Sequence, residues 1–105
     1  MEKISQTLKP PYYAVIFTSI KSDHLENYDE EALRMENLVK SQPGYLGHES
    51  ASAEIGITVS YWKDLESIKA WKKQKDHRLA QVKGKSTWYS QYKIRICKVE
   101  KEYGM

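Results

Sequence analysis

"YLGHESASAEIGITVSYW", residues 45–62, decides the fold. Its two halves are strand-like, and "SAE", residues 52–54, reads as the hairpin turn between them. The second half, Gly56–Trp62, is apolar or aromatic on both alternating faces. A hairpin of this kind takes its meaning from its flanks, and here a helical pattern stands on each side.

Upstream, "NYDEEALRMENLVKSQPG", residues 27–44, reads as a helix. Asn27 and Glu30 have the form of a capping pair, and Asp29, Glu30 and Glu31 suit the positive helix N-terminus. At about 100° per residue, Tyr28, Ala32, Met35, Leu38 and Val39 share one stripe. Pro43-Gly44 ends the helix, with Gly44 expected in a left-handed conformation. Downstream, residues 64–85 form a second helical region opening on Asp64 as N-cap.

Two further strands close the pattern. "YYAVIFTSI", residues 12–20, is rich in β-branched and aromatic residues and apolar on both faces. "WYSQYKIRICKVEKEY", residues 88–103, places Trp88, Tyr92, Ile94 and Ile96 on one face and Tyr89, Cys97 and Val99 on the other. The order is β-α-β-β-α-β: an α+β, ferredoxin-like antiparallel sheet carrying both helices on one face. Residues 1–9 read as a flexible arm, and residues 10–105 as the single domain. The second sheet face would leave an apolar patch larger than monomers usually tolerate. A second copy, related by a two-fold axis, is the simplest cover. A homodimer with its sheets face to face is therefore expected.

Composition narrows the function. Hydrophobic residues make up 40% and charged residues 30%, as in an ordinary globular domain. The net charge is only +3, which does not favour a nucleic-acid binder. The Lys and Arg cluster from Lys69 to Lys85 reads as a solvated helix face. No apolar run approaches the length of a membrane helix, and "MEKISQTLKPP" lacks the apolar stretch of a signal peptide. Cys97 is the only cysteine, so a cytoplasmic location is expected, with Cys97 buried as a small apolar residue. The three His show no metal-ligand spacing, and no metal is expected.

The strings "QPGYLGHESA", "GITVSYW" and "WYSQYKIRICKVE", with "AWKKQKDHRLAQ" before the last, resemble the antibiotic biosynthesis monooxygenase-like domains of the dimeric α/β-barrel superfamily. The resemblance covers about residues 10–103 and matches best a small bacterial subgroup without assigned chemistry. It implies a cofactor-independent monooxygenase-like protein that binds a small aromatic molecule in a cleft between sheet and helices. In such enzymes the substrate supplies the carbanion chemistry, and the protein supplies a pocket, a proton acceptor and hydrogen bonds. The alternative is a non-catalytic homodimeric ligand-binding or stress-related module.

Candidate substrate contacts are His48, Tyr61, Trp71, Tyr92 and Arg95, with Trp62 and Tyr89 as further aromatics. Glu49 is a candidate partner for Arg95. His77 is the candidate catalytic base. In an unbroken helix Leu65, Ile68, Trp71, Leu79 and Val82 share a stripe, and His77 points away from it. A break near Asp76 would re-aim His77 toward the cleft. The haem-degrading branch of the superfamily pairs a Trp and a His on this helix with an Asn on the first strand. No Asn lies between Tyr12 and Ile20, so haem degradation is not expected.

Overall fold

The order of elements is β1 (Tyr12–Lys21), α1 (Tyr28–Val39), β2 (Tyr45–Ser52), β3 (Gly56–Trp62), α2 (Leu65–Val82) and β4 (Tyr89–Val99). The computed structural model describes residues 4–82 and 88–105, and the end of the basic cluster, Lys83 and Lys85, lies outside them. The four strands form one antiparallel sheet in the order β2-β3-β1-β4, the ferredoxin-like arrangement. The two-faced strands β1 and β3 take the centre, where both faces have most to pack against.

Register fixes which side chains share a face. Tyr13, Val15 and Phe17 of β1 lie opposite Trp62, Ser60 and Thr58 of β3, and Val15 and Phe17 lie opposite Ile96 and Ile94 of β4. This inner face meets the helices, through a core of Val39, Trp62 and Ile68 with Tyr13, Val15, Tyr45 and Trp71 packed against it. Ala14, Ile16 and Thr18 alternate to the outer face, opposite Tyr61, Val59 and Ile57.

Two irregularities change the parity of the sheet. Tyr45 pairs with Trp62 and Gly47 with Tyr61, so Leu46 is an extra residue in β2. Gly47 takes a φ of 142° there, a conformation suited to glycine. In β4, Gln91 pairs with Ile20 and Tyr89 with Lys21, so Ser90 is extra. That bulge turns Tyr89 to the inner face, contrary to simple alternation. There it packs edge-on against Phe17, and its hydroxyl donates to the Tyr28 hydroxyl at 3.3 Å. Trp88 is buried just before the strand, with Nε1 donating to the Glu26 carbonyl at 2.9 Å.

The helix ends differ from one another. The Ser67 amide donates to Asp64 Oδ1 at 2.8 Å, so Asp64 caps α2 as expected. Asn27 makes no side-chain cap; it sits in the left-handed region at φ 63° and turns the chain into α1 through its backbone. Gly44 has φ 82°, the left-handed ending expected past α1. A Cβ at Gly44 would also overlap Ser67 of α2, lying 2.6 Å from its Cβ and closer still to its hydroxyl. The glycine is thus required by packing as well as by backbone conformation.

α2 is continuous through Asp76, with no second helix start there. Ile68 and Leu79 are buried and Trp71 half-buried, as the stripe predicts. Leu65 is 52% exposed, because the first turn extends beyond the sheet-facing core. Glu31, read as a carboxylate favouring the α1 N-terminus, is only 2% exposed. It accepts from Arg78 of α2 through Nε at 3.1 Å and Nη2 at 2.7 Å, and from Arg34 at 2.5 Å. These charge-assisted bonds tie the two helices together.

Residues ahead of β1 and behind β4 reach the sheet. The Ser5 amide donates to Glu49 Oε2 at 3.0 Å and its hydroxyl to the His48 carbonyl at 3.1 Å. Thr7 and Tyr12 both donate to Glu102 Oε1, at 3.0 and 2.5 Å. Cys97, opposite Ala14 on the outer face, is exposed rather than buried, because the chain places little over that face of β4.

Candidate functional site

Between the inner sheet face and the helices lies a cavity of about 460 Å³. Its apolar walls include Val15 and Phe17 from β1, Met35 and Val39 from α1, Ile68 and Trp71 from α2, and Ile94 and Ile96 from β4. The polar groups come from Glu36 on α1, Tyr45, His48 and Ser50 on β2, Thr58 and Ser60 on β3, and Lys72 and Lys75 on α2. An apolar cavity with a few convergent polar groups is the usual form of a small-molecule site.

The aromatic wall is anchored from below. Trp62 is wholly buried, and its indole donates to Ser60 Oγ at 2.9 Å. The Trp71 ring stacks over Trp62 with centroids 6.3 Å apart, so a helix residue presents a flat surface to the cavity. Tyr45 packs edge-on against Trp62 from β2.

The polar wall is organised around His48. The extra residue Leu46 brings Tyr45 and His48 to the same face, although they stand three apart in the chain. The Tyr45 hydroxyl and His48 Nδ1 are hydrogen-bonded, and His48 Nε2 lies 3.8 Å from Glu36 Oε1. Burial, with Glu36 nearby, pushes the Tyr45 hydroxyl above its ordinary range. On the facing helix Lys72 is held by Asp76 at 2.7 Å, and that bond raises the Lys72 ammonium. Lys75 Nζ lies 6.0 Å from the Phe17 ring centre.

Of the residues singled out from sequence, His48 and Trp71 line the cavity. Tyr92 stands on the inner face beyond it, 45% exposed, with its ring 5.7 Å from Phe17. Tyr61 and Arg95 project from the outer face. Tyr61 donates to Glu49 Oε1 at 2.5 Å; burial and that carboxylate push its hydroxyl up to about 12. Glu49 is therefore engaged by Tyr61 and the Ser5 amide, while Arg95 is exposed. His77 lies on the exposed side of α2, its Nε2 3.3 Å from the Gln81 amide nitrogen, and is not among the cavity residues. Sequence reading missed Tyr45 and Glu36. The signal that finds them is the Gly47 bulge, together with the one-turn step from Ala32 to Glu36 along the stripe of α1.

The family model for antibiotic biosynthesis monooxygenases matches residues 11–83. The chain belongs to the antibiotic biosynthesis monooxygenase family. An uncharacterised protein of Bacillus subtilis, YqjZ, is 45% identical over 104 residues, covering 97% of this chain and 91% of that protein. Among solved structures, SnoaB, a cofactor-independent oxygenase from Streptomyces nogalater, superimposes with a TM-score of 0.70 at 8% identity, covering 89% of this chain and 97% of that one. PA3566 from Pseudomonas aeruginosa gives 0.68 at 14% identity, covering 88% and 97%. At such identities these two likenesses establish the fold alone. They agree with the ferredoxin-like architecture of the family, and the described residues include no helix long and apolar enough to cross a membrane.

Proposed function

We propose that this family member binds a small aromatic molecule in the cavity between sheet and helices and oxygenates it without a cofactor. The observation that carries the reading is the cavity itself: apolar walls, a Trp71 face stacked on buried Trp62, and a hydrogen-bonded Tyr45–His48 pair beside Glu36. A planar molecule fits that geometry, with its ring on Trp71 and its polar edge toward His48, Tyr45 and Glu36. The membership of the family supports the reaction class.

In the reaction the bound molecule loses an acidic C–H proton, and the carbanion reduces dioxygen. For an anthrone, the ring methylene becomes a carbonyl; one oxygen atom of O₂ enters the product and the other leaves as water. The protein contributes binding, orientation and proton handling. His77 has no part in this reading, since it faces away from the cavity.

The working unit is a homodimer in a reducing cytoplasm. Ile16, Ile57, Val59 and Cys97 lie on the outer face of the sheet, half-buried or exposed, and the matching face of a second copy would cover them. An obligate apolar interface of this kind buries on the order of 2,000 Å² in total.

Anthrone tests the activity. Oxygen uptake is followed with purified protein in the presence of a chelator, and binding by quenching of Trp fluorescence. Uptake above the spontaneous rate, weakened in Trp71→Ala mainly through KM, is the expected result. Saturable binding without uptake transfers the assignment to a non-catalytic binding module. Absence of both overturns the reading. Light scattering at micromolar concentration should give twice the 12.3 kDa chain mass; a well-folded monomer would remove the dimer.

A further inference from the structure

The polar side of the cavity is more than a set of hydrogen-bonding groups. Tyr45, His48 and Glu36 stand in series: phenol to imidazole Nδ1, then imidazole Nε2 to carboxylate. A carboxylate beside Nε2 favours the tautomer with its proton on that nitrogen. Nδ1 then carries the lone pair, and Tyr45 must be the donor in their bond. The one hydrogen bond of the series therefore donates toward His48, and Glu36, 3.8 Å from Nε2, stands as the charge partner of the ring.

We propose that Tyr45, His48 and Glu36 form a proton-accepting relay, with Tyr45 as the group that meets the ligand. The inference deepens the ligand-binding reading and rests on it. The acidic O–H or C–H of the ligand gives its proton to the Tyr45 oxygen as that oxygen's own proton passes to His48 Nδ1. The ligand is left as an anion, Tyr45 is unchanged, and His48 gains one positive charge facing Glu36. No electron transfer is involved in this step.

Three features favour this direction of transfer. Burial and Glu36 disfavour a standing phenolate on Tyr45, so the phenol passes a proton on rather than surrendering it. His48 is half-buried at the cavity wall, where charge pairing is stronger than in open water. Lys72 and Lys75 face the same space from α2 and are placed to hold the anion formed. Glu36 also has Lys40 Nζ at 3.8 Å, an exposed cation that moderates the carboxylate without reaching the cavity. The relay depends on the Gly47 bulge, since regular alternation would turn Tyr45 and His48 to opposite faces.

The test uses 7-hydroxycoumarin, whose phenol and phenolate forms have distinct excitation spectra. Bound to the intact protein, it should ionise about tenfold more readily than in buffer, a shift of about one pH unit. His48→Gln and Tyr45→Phe should each remove most of that shift while retaining binding, and Glu36→Gln should remove part of it. A full shift in His48→Gln assigns the effect to Lys72 and Lys75 and overturns the relay. Failure of the coumarin to bind is a failure of the ligand-binding reading instead. The relay is then decided without ligand, from the ¹⁵N shifts of the His48 ring. A single Nε2–H tautomer that becomes mixed in Tyr45→Phe and Glu36→Gln supports it; a freely averaging ring in the parent protein overturns it.

Discussion

Tyr61 and Trp62 are neighbours on β3, yet they belong to two different regions. Trp62 points inward, has no exposed surface and carries the aromatic wall of the cavity. Tyr61 points outward, stacks edge-on with Tyr12 and donates to Glu49. Both faces of this sheet are apolar in sequence, but they use that character differently. The inner face is covered by the chain's own helices, which leave a space above it. The outer face is partly covered by the chain's ends, and Ile57 and Cys97 remain exposed on it. Apolar content alone therefore does not identify a core; what lies over it does.

The largest effect should come from the inner face. Truncating a buried Trp typically costs about 3–5 kcal/mol, and Trp62→Ala removes the floor beneath Trp71 and Tyr45 as well. Chemical denaturation should show a loss of this order or a failure to fold. A loss below about 1 kcal/mol would mean that the inner face is not the main core, and the contrast between the faces would collapse.

Next comes the roof. Glu31 is buried between α1 and α2, and the Arg78 and Arg34 guanidiniums hold its carboxyl below the usual carboxylate range. A lowered folded-state value gives stability that is present above the unfolded value of about 4.3 and is lost as pH falls through the folded one. Arg78→Met should cost about 1.5–3 kcal/mol near neutrality, the usual worth of hydrogen bonds to a charged group. Glu31→Gln should flatten the acid limb of the stability curve relative to the parent. An unchanged acid limb would show that the two helices are held by packing alone.

The order of elements was legible because each depends on local pattern. Asp64 caps α2, and Pro43-Gly44 ends α1, for reasons that lie within a few residues of each position. The faces were harder. When a strand is apolar on both sides, alternation says that Tyr61 and Trp62 oppose each other but not which one meets the helices. Tyr61 and Arg95 are candidates by the chemistry of their side chains, which carries no information on the face, and both are on the far side. Bulges remove even the alternation. Ser90 moves Tyr89 to the inner face, and Leu46 joins Tyr45 to His48. A single inserted residue thus brings the phenol and the imidazole of the site together. The burial of Glu31 was invisible for another reason: its partner Arg78 is 47 residues away, on a helix whose placement only the sheet determines.

The outer face should respond more gently to a single change. Tyr61→Phe removes one hydroxyl, and Glu49 keeps the Ser5 amide. The expected cost is about 1 kcal/mol, with no change in Trp fluorescence quenching by an inner-face ligand. Because the Tyr61 hydroxyl is pushed up to about 12, its contribution is complete below the ordinary tyrosine value of about 10 and fades as pH rises through the folded one. Tyr61→Phe should therefore lose less stability than the parent on alkaline titration. Loss of ligand binding in this variant would show that the two faces are coupled.

The smallest effect should fall on a residue that belongs to neither face. His77 lies on the exposed side of α2, against Gln81, and the helix runs unbroken past Asp76. No hinge re-aims it toward the cavity. His77→Ala should change stability by no more than about 0.5 kcal/mol, as for most surface substitutions, and should leave anthrone oxygen uptake intact. His48→Ala serves as its counterpart, equal in chemistry but placed on the cavity wall. If the two variants lose activity equally, position relative to the sheet is not what decides function here. If only His48→Ala loses it, the fold has chosen between two histidines by the face each one meets.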